Sequence, residues 1–119
     1  MGENLKKRTK DFALRIIKLY GALPSSVEAQ VIGKQILRSG TSVGAHYHES
    51  SRSRSKAEFI SKIQVSLQEL EETIYWLELL IASQLVHESK LTKLLEESKE
   101  LIAILATCMK RAKESKTMR

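Results

Sequence analysis

The sequence is short of the residues that most non-helical folds require. Its 119 residues include one cysteine, Cys108, which excludes an internal disulfide and any cysteine-based zinc cluster. One proline and five glycines are too few for the turns of an all-β domain. Aromatic residues make up 5% of the chain. No apolar run approaches the ~20 residues of a membrane span; the best, Trp76 to Ala82, is short and contains Glu78. Lys6, Lys7 and Arg8 make a basic start, but the apolar segment of a secretory signal does not follow. These absences predict a soluble cytoplasmic protein without a membrane partner. A chain of this length buries roughly two-thirds of the surface that its unfolded form exposes, so residues 1–119 are expected to form one domain without a disulfide or metal.

Helical periodicity dominates what remains. Phe12, Ile16, Leu19 and Leu23 recur at helical spacing and predict a first helix over 5–22. Pro24 breaks it. Ser25 to Glu28 has the form of a capping box, with Ser25 as the cap, and opens a second helix over 26–51. There Ile32, Ile36, Val43 and Tyr47 form one stripe, beside Gly33, Gly40 and Gly44. Each glycine costs a helix up to about 1 kcal/mol relative to alanine, so three imply a compensating close approach of another helix. A break near Ser39 to Ser42 is the alternative. Ser55 to Glu58 is a second capping box. It leads a third helix over 56–83, whose Phe59, Ile63, Leu67, Leu70, Ile74, Leu77 and Ile81 make a nearly regular heptad seam. Leu91, Leu94, Leu95, Leu101, Ile102, Leu105 and Met109 mark a fourth helix over 89–113, with His87 to Ser89 as its cap region. The tail from Ser115 is expected to fray. Short connections place neighbours antiparallel, so the expected fold is all-α, an up-down-up-down four-helix bundle.

Catalytic chemistry finds little footing. The di-iron bundle pattern needs Glu-x-x-His pairs, and none occurs. His46 and His48 are two apart and point in different directions on a helix. Serines concentrate at caps and in the 50–55 segment, where they serve turns. Cys108 lies among apolar neighbours and reads as a small hydrophobe. Gly40 to Gly44 lacks the lysine of a phosphate-binding loop. The sequence therefore predicts no enzyme, no catalytic or metal-ligating residue and no cofactor. Glu69, Glu71, Glu72 and Glu78 read as a solvated acidic face or as intersubunit ion pairs.

Charge is more informative. The chain carries 20 Lys and Arg against 14 Asp and Glu, a net charge of +6. The cations gather in three places: Lys6, Lys7, Arg8 and Lys10; Arg52, Arg54 and Lys56; and Lys110, Arg111 and Lys113, followed by Lys116 and Arg119. In an antiparallel bundle all three fall at one end. Such an end would neutralise phosphates with a strong salt dependence. Charge alone equally fits cations that stabilise helix ends and keep the chain soluble. Phe12, Phe59 and Trp76 lie on apolar faces, so base stacking is not indicated, and binding would address backbone or shape. Helix 3 is apolar or aromatic at 74–77 and 79–81. That surface exceeds one core and predicts an oligomer interface at Tyr75, Trp76, Leu79 and Leu80.

Three segments carry a resemblance: Leu37 to Ala45 (LRSGTSVGA), Arg54 to Ile63 (RSKAEFISKI) and Glu71 to Leu80 (EETIYWLELL). In this order they closely resemble the bacterial four-helix-bundle proteins encoded in intervening sequences of 23S rRNA genes, also called S23 ribosomal proteins. That family is similar to the accessory variability determinant of diversity-generating retroelements. The resemblance implies a homopentamer of bundles, a nucleic-acid role (rRNA or DNA), a reverse transcriptase as a protein partner, and no known catalysis. Where the family commonly has Asn after Gly-Ala, this chain has His46.

Overall fold

A computed structural model describes residues 2–115 of the chain. Four helices follow one another: α1 (Gly2–Ala22), α2 (Val27–Ser50), α3 (Lys56–Ala82) and α4 (Thr92–Glu114), with a 3-10 turn at Glu88–Lys90. They form a four-helix bundle of 51 × 20 × 20 Å. α2 packs closely on α1 and α3, α3 on α4, and α1 meets α4 along a shorter stretch. The all-α expectation holds. α2 runs unbroken through Ser39 to Ser42. No helix among the described residues is long and apolar enough to cross a membrane. The frayed tail expected beyond Ser115 lies outside the described residues.

The helix ends differ from expectation in three main places, the first being that α1 already begins at Gly2 rather than at 5. Ser26, not Ser25, caps α2, its hydroxyl accepting from the Ala29 amide at 3.3 Å. Ser26 has the extended backbone that an N-cap needs, one residue further from Pro24 than the capping-box spacing implied. α4 begins at Thr92 rather than 89, because residues 88–90 form the 3-10 turn, capped by His87 Nδ1 on the Ser89 amide at 3.1 Å. Ser55 caps α3 as expected, accepting from the Glu58 amide at 3.1 Å. α3 stops in a Schellman motif: Gln84 donates to Ile81 and Leu85 to Leu80. Gln84 takes the left-handed conformation (φ 63°) that glycine usually supplies, and Leu85 folds back against the core.

Phe12, Ile16, Ile36, Val43, Ile63, Leu70, Leu77, Leu101 and Leu105 are buried at the centre. The glycines of α2 do admit a neighbour. A Cβ at Gly33 would meet Leu23 and Tyr20, one at Gly40 would meet Ile16, and one at Gly44 would meet Thr9, including its backbone. These pairs set α1 antiparallel to α2. On its other side α2 meets α3 through small polar residues. Thr73 Oγ1 donates to Ser39 Oγ at 2.8 Å, and Ser66 Oγ to the Val43 carbonyl at 2.7 Å. The buried face of α3 keeps part of the heptad seam, with Ile63, Leu67, Leu70 and Leu77 buried, and shifts off the rest. Ser66, Thr73 and Leu80 are buried, while Phe59, Ile74 and Ile81 are only half-buried.

Candidate nucleic-acid interface

The start of α1, the α2–α3 turn and the end of α4 meet at one end of the bundle. Thr9 lies against Gly44, and Lys56 Nζ donates to the carbonyls of Lys113 and Ser115 at 2.9 and 2.8 Å. Lys56 is thereby engaged as a cap on the C-terminus of α4. Arg8 is engaged more firmly. Its Nη2 donates to Glu97 Oε1 at 2.6 Å and its Nε to Oε2 at 3.2 Å, with Glu100 at 3.4 Å. The Glu97 hydrogen bond raises the Arg8 pKa further above its ordinary value, against the opposing effect of burial. Lys7 pairs with Asp11 at 2.8 Å, both exposed. Lys6, Lys10, Arg52, Arg54, Lys110 and Lys113 are exposed and, among the described residues, make no ion pair. Arg111 is exposed beside them. Lys116 and Arg119 lie outside the described residues. The sequence placed the cations at one end, but it held no sign of which ones Glu97 and the α4 carbonyls would occupy.

Between α1 and α2 at this end lies a hollow of about 330 Å³. It is lined by Thr9, Ala13, Thr41, Gly44 and Ala45 together with Lys6, Lys10 and His48. His48 was not among the expected site residues, and only the packing of α2 on α1 brings it there.

The acidic residues of α3 divide into two sets. Glu69 and Glu72 reach across the α2–α3 groove and pair within the chain, where the sequence offered either a solvated acidic face or intersubunit ion pairs. Arg38 pairs with both, and Glu72 also accepts from Trp76 Nε1 at 2.9 Å. His46 stands between Glu49 (3.3 Å) and Glu69 (3.8 Å), tying α2 to α3. Lys62 reaches Glu49 at 3.1 Å; that hydrogen bond, then the one from His46, holds the Glu49 carboxyl below its usual range. Glu71 and Glu78 remain exposed without an ion pair among the described residues.

The expected oligomer surface also divides. Leu80 is fully buried in the protomer's own core and leaves the set, on the same buried face of α3 as Ser66 and Thr73. Trp76 and Leu79 are half-buried; Trp76 packs on the core and meets Tyr75 edge-on at 5.0 Å. Tyr75 is exposed. The other large exposed apolar side chains, Leu14, Ile17, Val27 and Val31, lie on α1 and α2.

Among the described residues no group of three or more His, Cys, Asp or Glu is placed to hold a metal ion. Buried hydroxyls bond back to helix carbonyls, as Thr9 does to Leu5 and Ser98 to Leu94. Burial pushes the Cys108 thiol above its usual range, with Arg111 opposing.

Comparison with curated proteins gives no match. A crystal structure from Bacteroides thetaiotaomicron VPI-5482, of a protein with unknown function from the S23 ribosomal protein family, superposes with a TM-score of 0.86. It is 39% identical, over 92% of this chain and 99% of that one. The profile of the 23S rRNA-intervening sequence proteins matches residues 4–107. With that match over most of its length and a related bundle of the same shape, this chain belongs to the 23S rRNA-intervening sequence protein family.

Proposed function

We propose that the protein is a non-enzymatic, self-associating bundle that binds the backbone of nucleic acid through its basic end. The observation that carries this reading is the group of exposed cations without ion-pair partners at that end: Arg52 and Arg54 in the α2–α3 turn, and Lys110 and Lys113 on α4. Arg8 and Lys56, by contrast, are engaged within the chain. The family name points to 23S rRNA as the first nucleic acid to test. The absence of stacking aromatics at this end favours contacts to phosphate over contacts to bases. The Thr9 and Ser98 hydroxyls, committed to helix carbonyls, and the Cys108 thiol, whose pKa burial raises, support the non-enzymatic part.

The test is binding of the full chain to 23S rRNA fragments and to duplex DNA across a salt series. Log affinity should fall steeply with log salt and similarly for many sequences. Arg52→Glu with Arg54→Glu should weaken binding uniformly and flatten the slope by about 2, one unit for each arginine that no longer neutralises a phosphate. No binding at low salt would overturn the reading. A second reading, a protein-interaction module that partners a polypeptide such as a reverse transcriptase, draws support from Val27 and Val31. These are 75% and 57% exposed at the start of α2, at the end of the bundle away from the cations.

A further inference from the structure

The four helices do not close evenly. α1 meets α4 along a shorter stretch than the other neighbours share, and a groove runs between them. Three sets of contacts give the order of charges along it. Near the cationic end Asn4 lies beside Ala103, Ile104 and Thr107. Lys110, two turns after Ala103, continues that side of α4. In the middle Arg8 pairs with Glu97 and Glu100. Asp11, one turn after Arg8, pairs with Lys7, and Glu96 stands exposed one turn before Glu100. Carboxylates outnumber cations in this stretch. Toward the far end the sign changes again. Arg15, Lys18 and Lys90 surround a hollow of about 370 Å³ lined by Leu19, Leu91 and Leu94. All three cations are exposed and make no ion pair among the described residues. The groove thus carries two groups of free cations with an acidic stretch between them.

We propose that the nucleic acid is a duplex lying lengthwise along the α1–α4 groove, and that Arg15, Lys18 and Lys90 bind its phosphates one helical turn from the cationic end. The inference rests on the nucleic-acid reading above, and adds to it a second contact and a substrate class. From Lys90 to Lys110 and Lys113 the chain rises about 30–35 Å at ~1.5 Å per residue, within the 51 Å length of the bundle. One turn of a duplex is about 34–36 Å. A strand that touches one group of cations therefore returns to the protein at the other. Between those points the duplex turns a groove toward the protein, and Glu96, Glu97 and Glu100 meet no phosphate. A single strand laid on the same path would carry phosphates across these carboxylates and be repelled there. No aromatic side chain lines the far hollow to stack its bases. A small anion would use one group of cations and leave the spacing of the two without consequence.

The experiment measures binding of the full chain to RNA and DNA hairpins with stems of about 6 and about 14 base pairs, roughly 20 and 48 Å long at ~3.4 Å per pair. Only the longer stem can reach both groups of cations. The unmodified chain should bind it roughly tenfold or more tightly than the shorter one, and more tightly than a single strand of the same length. Arg15→Gln, Lys18→Gln and Lys90→Gln together should remove that advantage and flatten the salt slope on the long stem by up to about 3. Binding to the short stem should stay within about twofold, and circular dichroism should show unchanged helicity. A triple variant that binds the long stem as the unmodified chain does overturns this contact, while binding at the cationic end stands. A loss shared equally by both stems also overturns it, because it would report only the lower net charge. A single strand bound as tightly as the long stem overturns the choice of a duplex. An unmodified chain that binds none of these at low salt overturns the nucleic-acid reading, and this inference with it.

Discussion

Adding one methyl group at each of three glycines should change stability in three different directions. At Gly21, near the end of α1, an added Cβ meets nothing within 4 Å, and the backbone has no positive φ. Gly21→Ala should therefore stabilise by about 0.5–1 kcal/mol, through the lower entropy of the unfolded chain. At Gly33 the new Cβ lies 2.5 Å from Leu23 Cδ1, a terminal methyl of a half-buried side chain, and 3.0 and 3.2 Å from Cδ1 and Cε1 of the Tyr20 ring, so both must give slightly. The helix gain and the local adjustment offset each other, leaving a change within about 0.5 kcal/mol of zero. At Gly40 the Cβ lies 2.7, 2.9 and 3.0 Å from Cγ1, Cγ2 and Cδ1 of Ile16, which is fully buried. Ile16 has no free space to rotate into, so α1 must move outward. Overpacking of this kind costs about 1–3 kcal/mol, against a helix gain of about 1 kcal/mol. The net loss is about 1 kcal/mol, with an upper end near 2. In a domain of this size that lowers Tm by about 3–5 °C per kcal/mol. Thermal melts of the three single variants check the order. Ile16→Ala combined with Gly40→Ala should cost less than the two singles together, because the cavity accepts the methyl. A Gly40→Ala protein that melts as high as Gly21→Ala would refute the claim that α1 closes onto this glycine.

Three further outcomes follow from particular contacts. Arg8→Ala and Glu97→Ala, taken as a double-mutant cycle in urea, should show a coupling of about 1 kcal/mol, since the pair is two-pronged and partly shielded; a coupling indistinguishable from zero would make it an ordinary surface pair. Ser26→Ala should cost about 1 kcal/mol and Ser25→Ala almost nothing, and equal losses would return the cap of α2 to Ser25. Because burial favours the protonated thiol of Cys108, its alkylation at pH 8 should be slow in the folded chain and faster in denaturant, where the thiol regains its ordinary pKa near 8.5; equal rates would place the thiol in open solvent.

How far the sequence reaches can be seen in single residues. Phe12 and Ile16, like Ile36 and Val43, fall on apolar stripes of period 3.6, and such stripes have to turn inward whatever packs against them. The Ser55 cap needs only four consecutive residues. Both were legible for that reason. Glu97 and Arg8 are 89 positions apart, and nothing local marks them as partners. The capture of Lys56 by the end of α4 and the placement of His48 beside Lys6 and Lys10 likewise depend on which helix lies alongside. Gln84 escaped notice because its left-handed conformation is imposed by Leu85 folding back on the core rather than by the flexibility of a glycine.

By itself, then, the sequence determined the helices, their order, the apolar stripes, the glycine face of α2 and the gathering of cations toward one end. Each of these follows from periodicity, capping or the antiparallel order of short-looped helices. The tertiary structure alone decided which cations stay unpaired, which acids turn inward, that Leu80 belongs to the core, and that Leu14 and Ile17 stand in solvent. The physical reason is the rotation of each helix about its own axis. On α3 that rotation follows from the close approach of Ser39 to Thr73 and of Val43 to Ser66, a contact between residues too small and polar to appear in a hydrophobic pattern.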